Sequence, residues 1–157
     1  MNVAIVVMII IALLFGIAFL TKRRFGVLGL ALTAGATLSA MWATDLTPVV
    51  EKSGFLITAP PMETIVAAVV VLLPAIILLF SGPTYRKLSH RVIGAAAFGL
   101  LATAFLLEPL GSAIVLTDDS GEVYAWLVDN RAYIITAGIL FALFDLLSVK
   151  SSKKSDA

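Results

Sequence analysis

The sequence predicts an all-α fold: a polytopic membrane bundle of five transmembrane helices, N-terminus out and C-terminus in. Three observations carry this. Of 157 residues, 61% are hydrophobic and 13% charged, with a mean hydropathy of +1.07. A soluble domain is about half apolar and a quarter charged, so this chain lacks the polar surface to cover a soluble core. Five apolar stretches approach the ~20 residues that cross a hydrocarbon layer ~30 Å thick. Finally, nine of the eleven Lys and Arg residues fall in alternate connections.

The first stretch, residues 2–20, is rich in Ile, Val and Leu. Its basic cluster follows the apolar run instead of preceding it, so a retained helix is expected. Cleavage after Ala12 or Ala18 is the alternative. Thr21 and the Lys22–Arg24 cluster end the first span, and residues 25–44 form the second. So short a basic turn makes these an antiparallel hairpin. Residues 45–61 are more polar, with Asp45, Glu51 and Lys52, and with Pro48, Pro60 and Pro61 as breakers. Residues 62–80 form the third span, with Glu63 in its first turn, where a helix favours an acid, and Pro74 in its middle.

A basic turn at 81–91 leads into the fourth span, residues 92–116, which Pro109 interrupts. Residues 117–131 are acidic, and 123–128 could form a short interfacial helix. Residues 132–149 form the fifth span. Residues 1–149 thus read as a single transmembrane domain and 150–157 as a disordered basic cytoplasmic tail.

With five spans, Lys22, Arg23, Arg24, Arg86, Lys87, Arg91, Lys150, Lys153 and Lys154 share one side, leaving Lys52 and Arg131 opposite. The positive-inside rule makes the basic side cytoplasmic. Trp42, Tyr124, Trp126 and Tyr133 gather at the outer interface and Tyr85 at the inner one. Lys22, Arg23, Arg24, Arg86, Lys87 and Arg91 are expected to anchor the chain on anionic headgroups of the inner leaflet, each contributing about 1 kcal/mol.

Helices in lipid associate by close packing at small residues. The second span carries Ala31, Gly35, Ser39 and Ala43 at intervals of four, which share a face. The fourth carries Ala95, Gly99 and Thr103, with Gly94 adjoining. Ala12 and Gly16, and Gly138 and Ala142, extend the pattern to the first and fifth spans. We read these as contact seams with spans two and four at the centre; the alternative is the lining of a narrow pore.

Two acids are candidates for an ion path. Glu108 lies sixteen residues after Val92, about 24 Å along a helix and in the outer part of the layer. Intramembrane acids suggest proton coupling, although at this depth Glu108 can also cap the broken helix or pair with Lys52 or Arg131. Asp145, near the inner edge, suits an ion pair with Lys150, Arg91 or the Lys22–Arg24 turn, or a proton relay. His90 is the chain's single His, and there is no Cys. No metal cluster, disulfide or cysteine nucleophile is therefore expected. The acidic run at 118–122 lacks the ligand spacing of a calcium loop. No Gly-rich phosphate loop, zinc helix or nucleophile elbow occurs. We expect no enzyme activity and no cofactor. The net charge of +1 gives no reason to expect nucleic acid.

The layout resembles the colicin V production protein family. A first span runs through a basic-glycine turn, Lys22-Arg23-Arg24-Phe25-Gly26, into a small-residue second span. After the third span, Arg91-Val92-Ile93-Gly94 leads on to Gly99 at the start of the fourth. The likeness covers about residues 1–107. It implies a small non-enzymatic protein of the bacterial inner membrane, linked to toxin export or envelope maintenance. The residues themselves lead to an accessory or structural subunit, either a homo-oligomer or a partner of other membrane proteins. The rival is a small transporter or channel subunit with proton coupling through Glu108.

Overall fold

The computed structural model describes residues 3–54, 61–81, 83–85, 87–111 and 121–152. They form five helices: α1 (Val3–Thr21), α2 (Phe25–Lys52), α3 (Met62–Leu79), α4 (Leu88–Gly111) and α5 (Gly121–Ser152). Four of these, α2 to α5, are long and apolar enough to cross a membrane. Large apolar side chains cover the surface: Leu20, Phe80, Phe144 and Leu147 are each more than two-thirds exposed. Water penalises such a surface, whereas a bilayer is its natural solvent.

Two elements run longer than expected. Helix α2 passes through Pro48 to Lys52 instead of ending near Thr44. Pro48 withdraws the donor that would serve the Thr44 carbonyl. That loss falls in an exposed part of the helix, where water can replace the donor. Helix α5 begins at Gly121, so the segment at 123–128 is continuous with it. Tyr124 and Arg131, two turns apart, hold this extension to α4. The Tyr124 hydroxyl donates to the Leu107 carbonyl (3.3 Å), and Arg131 Nε donates to that of Ala104 (3.2 Å). Helix α4 ends at Gly111, and the remainder of the expected fourth span lies outside the described residues.

Helix α4 touches every other helix, and α2 touches α3, α4 and α5. The core joins Phe25, Leu28 and Leu32 of α2, Ala75 and Leu79 of α3, Phe98, Leu101 and Ala102 of α4, and Ala142 of α5. Small residues set how closely the helices approach. A Cβ on Gly35 would lie 2.8 Å from the Val71 carbonyl carbon of α3. Pro74 has no N–H, so it leaves the Val70 carbonyl without its helical donor; that oxygen faces Gly35 too. Ala31, Ser39 and Ala43 are buried on α2, and the Ser39 hydroxyl donates to the Ala67 carbonyl of α3 (3.2 Å). A Cβ on Gly99 would lie 3.2 Å from the Ile11 carbonyl oxygen of α1. Ala95 is buried on α4. Gly94 makes room for the Tyr85 ring instead of a helix. The pair expected on the first helix is not a seam: Ala12 is exposed and Gly16 faces open space. Helix α1 meets α4 through its backbone at Ile11 and Phe15, each one residue before those positions and so about 100° round the helix.

Candidate functional site

Among the described residues, Lys22, Arg23, Arg24, Lys87 and Arg91 gather at one end of the bundle, and the three arginines are turned inward. The turn after α1 pairs with the segment before α4. Arg23 and Thr84 form an isolated antiparallel bridge, Arg24 N–H donates to the Pro83 carbonyl (3.1 Å), and Tyr85 N–H donates to that of Lys22 (2.8 Å). Lys22 adopts φ +57°, which lets so short a turn reverse the chain. Here two arginines, Arg23 and Arg91, and Tyr85 reach the ends of other helices.

Helix ends leave main-chain groups without partners, and in a low-dielectric layer each orphan is costly. Here neighbouring elements serve them. Arg23 donates from Nε to the Leu79 carbonyl (2.8 Å) and from a terminal nitrogen to that of Phe80 (2.9 Å), closing the C-terminus of α3. Arg91 donates from Nε to the Phe19 carbonyl and lies 3.9 Å over the Phe19 ring, closing the end of α1. The N-terminus of α2 receives two acceptors. The Tyr85 hydroxyl oxygen takes the Phe25 amide (3.1 Å), and Asp145 Oδ2 takes that of Gly26 (2.9 Å). Cations at C-terminal carbonyls and an acid at an N-terminus follow the sign of the helix dipole.

Tyr85, expected at the interface, is buried. Burial, together with the hydrogen-bonded charge of Asp145, pushes its phenol up to about 12, against the opposing effects of the Phe25 amide and Arg24. The Arg24 guanidinium lies 5.5 Å from the Tyr85 ring centre. His90 is exposed beside the same ring.

The candidate residues therefore divide. Arg23, Arg24 and Arg91 sit within this interlocked end, whereas Lys22 and Lys87 are exposed. Arg86 lies outside the described residues, as does the Lys150 side chain. Asp145 meets a main-chain amide and a phenol. Glu108 belongs to the α4 backbone, but its side chain lies outside the described residues. Among the described residues no group of three His, Asp or Glu is placed to hold a metal.

The opposite end holds what sequence reasoning missed. An open-sided cavity of about 720 Å³ lies among α2, α3, α4 and α5. Alanines 36, 40, 43 and 67 provide the space. Ser39, Thr44, Glu63, Thr64 and Arg131 make part of its wall polar. The Thr44 hydroxyl donates to Glu63 Oε1 (3.0 Å). Val71 and Phe105 are buried apolar residues of its lining. The signal in the sequence was the run of small and hydroxyl residues at 33–44, which reads equally well as a packing seam. Comparison with known families, characterised proteins and solved structures returns no match for this chain.

Proposed function

We propose that this chain is a non-enzymatic, multi-pass protein of a bacterial inner membrane that acts by association, as an accessory or structural subunit. The family resemblance suggests a setting in toxin export or envelope maintenance. The proposed arrangement has five spans, with the N-terminus outside and the basic end against the anionic cytoplasmic leaflet.

One observation carries the reading. In the spanning window of α5 only 6% of residues are buried, against 61% for α4. Its outward face carries Tyr133, Leu140, Phe144 and Leu147, at intervals of seven, four and three. This stripe along one face suits another helix. The glycine seams, in contrast, are already used within the chain.

The absence of native cysteine makes the test clean. Leu140→Cys, oxidised in membranes, is expected to give a cross-linked product containing a second copy or one defined membrane partner. Ile77→Cys on the exposed face of α3 is expected to give none. Equal cross-linking at both sites, or none at Leu140→Cys, refutes association through α5. For the topology, a cysteine at position 52 is expected to react with an impermeant maleimide outside the cell, and one at position 87 is not. Labelling of both from one side overturns the five-span arrangement.

The transporter alternative draws on the cavity, which reaches Pro109 beside Glu108. Proton flux in proteoliposomes that Glu108→Gln abolishes would favour it.

A further inference from the structure

We propose that the cavity between α2, α3, α4 and α5 is a binding site for a zwitterion with an apolar body, its ammonium group on Glu63 and its acidic group toward Arg131. The site is separate from the α5 face and does not depend on it.

The geometry of α2 and α3 creates the space. The two helices meet tightly where Gly35 abuts the Val71 backbone, closing their seam. Beyond that contact the lining is Ala36, Ala40 and Ala43 on one side and Ala67 on the other. Val71 lies nine residues past Met62, about 13 Å along the helix. The cavity thus enters from the acidic end and reaches about halfway along α3. Its volume lies within the range of small-molecule sites, about 300–1,000 Å³.

The chemistry of the lining selects the ligand. Glu63 stands at the first turn of α3, with Oε1 held by the Thr44 hydroxyl. The bond orients the carboxylate, and its other oxygen can accept from an ammonium group. Arg131 brings the opposite charge from α5, its guanidinium oriented by the Nε bond to Ala104. A zwitterion can engage both residues, whereas a ligand with one sign of charge engages only one of them. The alanines, Val71 and Phe105 offer an apolar surface for the ligand body. Two sources supply this chemistry: the ethanolamine headgroup of a phospholipid, or a free apolar amino acid.

The test uses the full chain in a neutral detergent, with melting temperature as the readout. Lysophosphatidylethanolamine and leucine probe the two sources; lysophosphatidylglycerol and dodecyltrimethylammonium carry one charge each. Saturable stabilisation by one zwitterion, and not by the single-charge probes, is expected. Glu63→Gln should weaken that binding about tenfold, as expected for loss of a charged hydrogen bond. Ala40→Leu, which fills the space, should abolish it. Both variants keep the α2–α3 seam at Gly35, and an unchanged melting temperature without ligand confirms that they fold. Stabilisation by leucine alone assigns a solute site, and by the lysolipid alone a headgroup site. Equal response to the single-charge probes, no saturable response to either zwitterion, or unchanged binding in Glu63→Gln overturns the proposal.

Discussion

Asp145 Oδ2 accepts the backbone amide of Gly26 at 2.9 Å, across 119 residues of chain. The last helix thereby closes the first turn of the second. Gly26 permits it: a Cβ there would stand 2.7 Å from the Ala142 carbonyl oxygen and 3.0 Å from Asp145 Oδ2 itself. Asp145, which the sequence offers for an ion pair or a proton relay, thus caps α2 and is joined through Tyr85 to the rest of the basic end.

Removing that cap should loosen α5 from α2. Asp145→Ala is expected to cost about 1.5–3 kcal/mol, the contribution of a hydrogen bond to a charged group. Asp145→Asn keeps an acceptor and loses the charge, so its cost should fall between wild type and Asp145→Ala. Reversible unfolding in mixed micelles measures both. If Asp145→Asn proves as damaging as Asp145→Ala, the charge matters more than the acceptor.

Glycines that look alike in sequence should respond in opposite ways. Gly35→Ala places a methyl group against the Val71 backbone, which cannot move aside as a flexible side chain would. A loss of about 1–3 kcal/mol is expected from overpacking. Gly16→Ala meets open space on α1 and should gain about 0.5–1 kcal/mol through helix propensity. Melting temperatures of the two variants, measured side by side, check the contrast.

Arg23 tests whether fork geometry or charge matters at the basic end. Lysine keeps the charge but cannot reach the Leu79 and Phe80 carbonyls together as Arg23 does. Arg23→Lys should therefore cost about 1–2 kcal/mol, roughly one hydrogen bond, with little change in orientation by cysteine labelling. Inversion of the topology in Arg23→Lys would show that Arg23 acts on insertion beyond its charge.

Alkaline pH should act through Tyr85. Its phenol is raised from 10.0 to about 12 by burial, so the fold favours the neutral form. The stability contributed by this group is complete below pH 10 and is lost as pH rises through about 12. Tyrosinate absorbance should show the late titration of Tyr85 in the folded protein. Tyr85→Phe should remove that step, and it should lower stability at neutral pH because the Phe25 amide loses its acceptor.

Much of the architecture was legible because lipid imposes simple rules. Apolar length located the helices, and the turns at 22–24 and after Leu79 fell where basic residues and breakers said they would. Helix ends were less legible. Pro48 reads as a breaker, yet α2 continues through it, because one missing donor in an exposed stretch costs little. The acidic stretch before Arg131 reads as a loop, yet Tyr124 and Arg131 dock it on α4 as helix.

By itself, the sequence determined the solvent and the segments that live in it, because hydropathy and span length are properties of consecutive residues. Tertiary structure alone decided what the charges do, since a cap such as Asp145 on Gly26, or a wall such as Glu63 with Thr44, joins residues far apart in the chain. It also decided which small residues become contacts and which line a cavity: on α2, Gly35 abuts the Val71 backbone of α3, whereas Ala36, Ala40 and Ala43 border an open space.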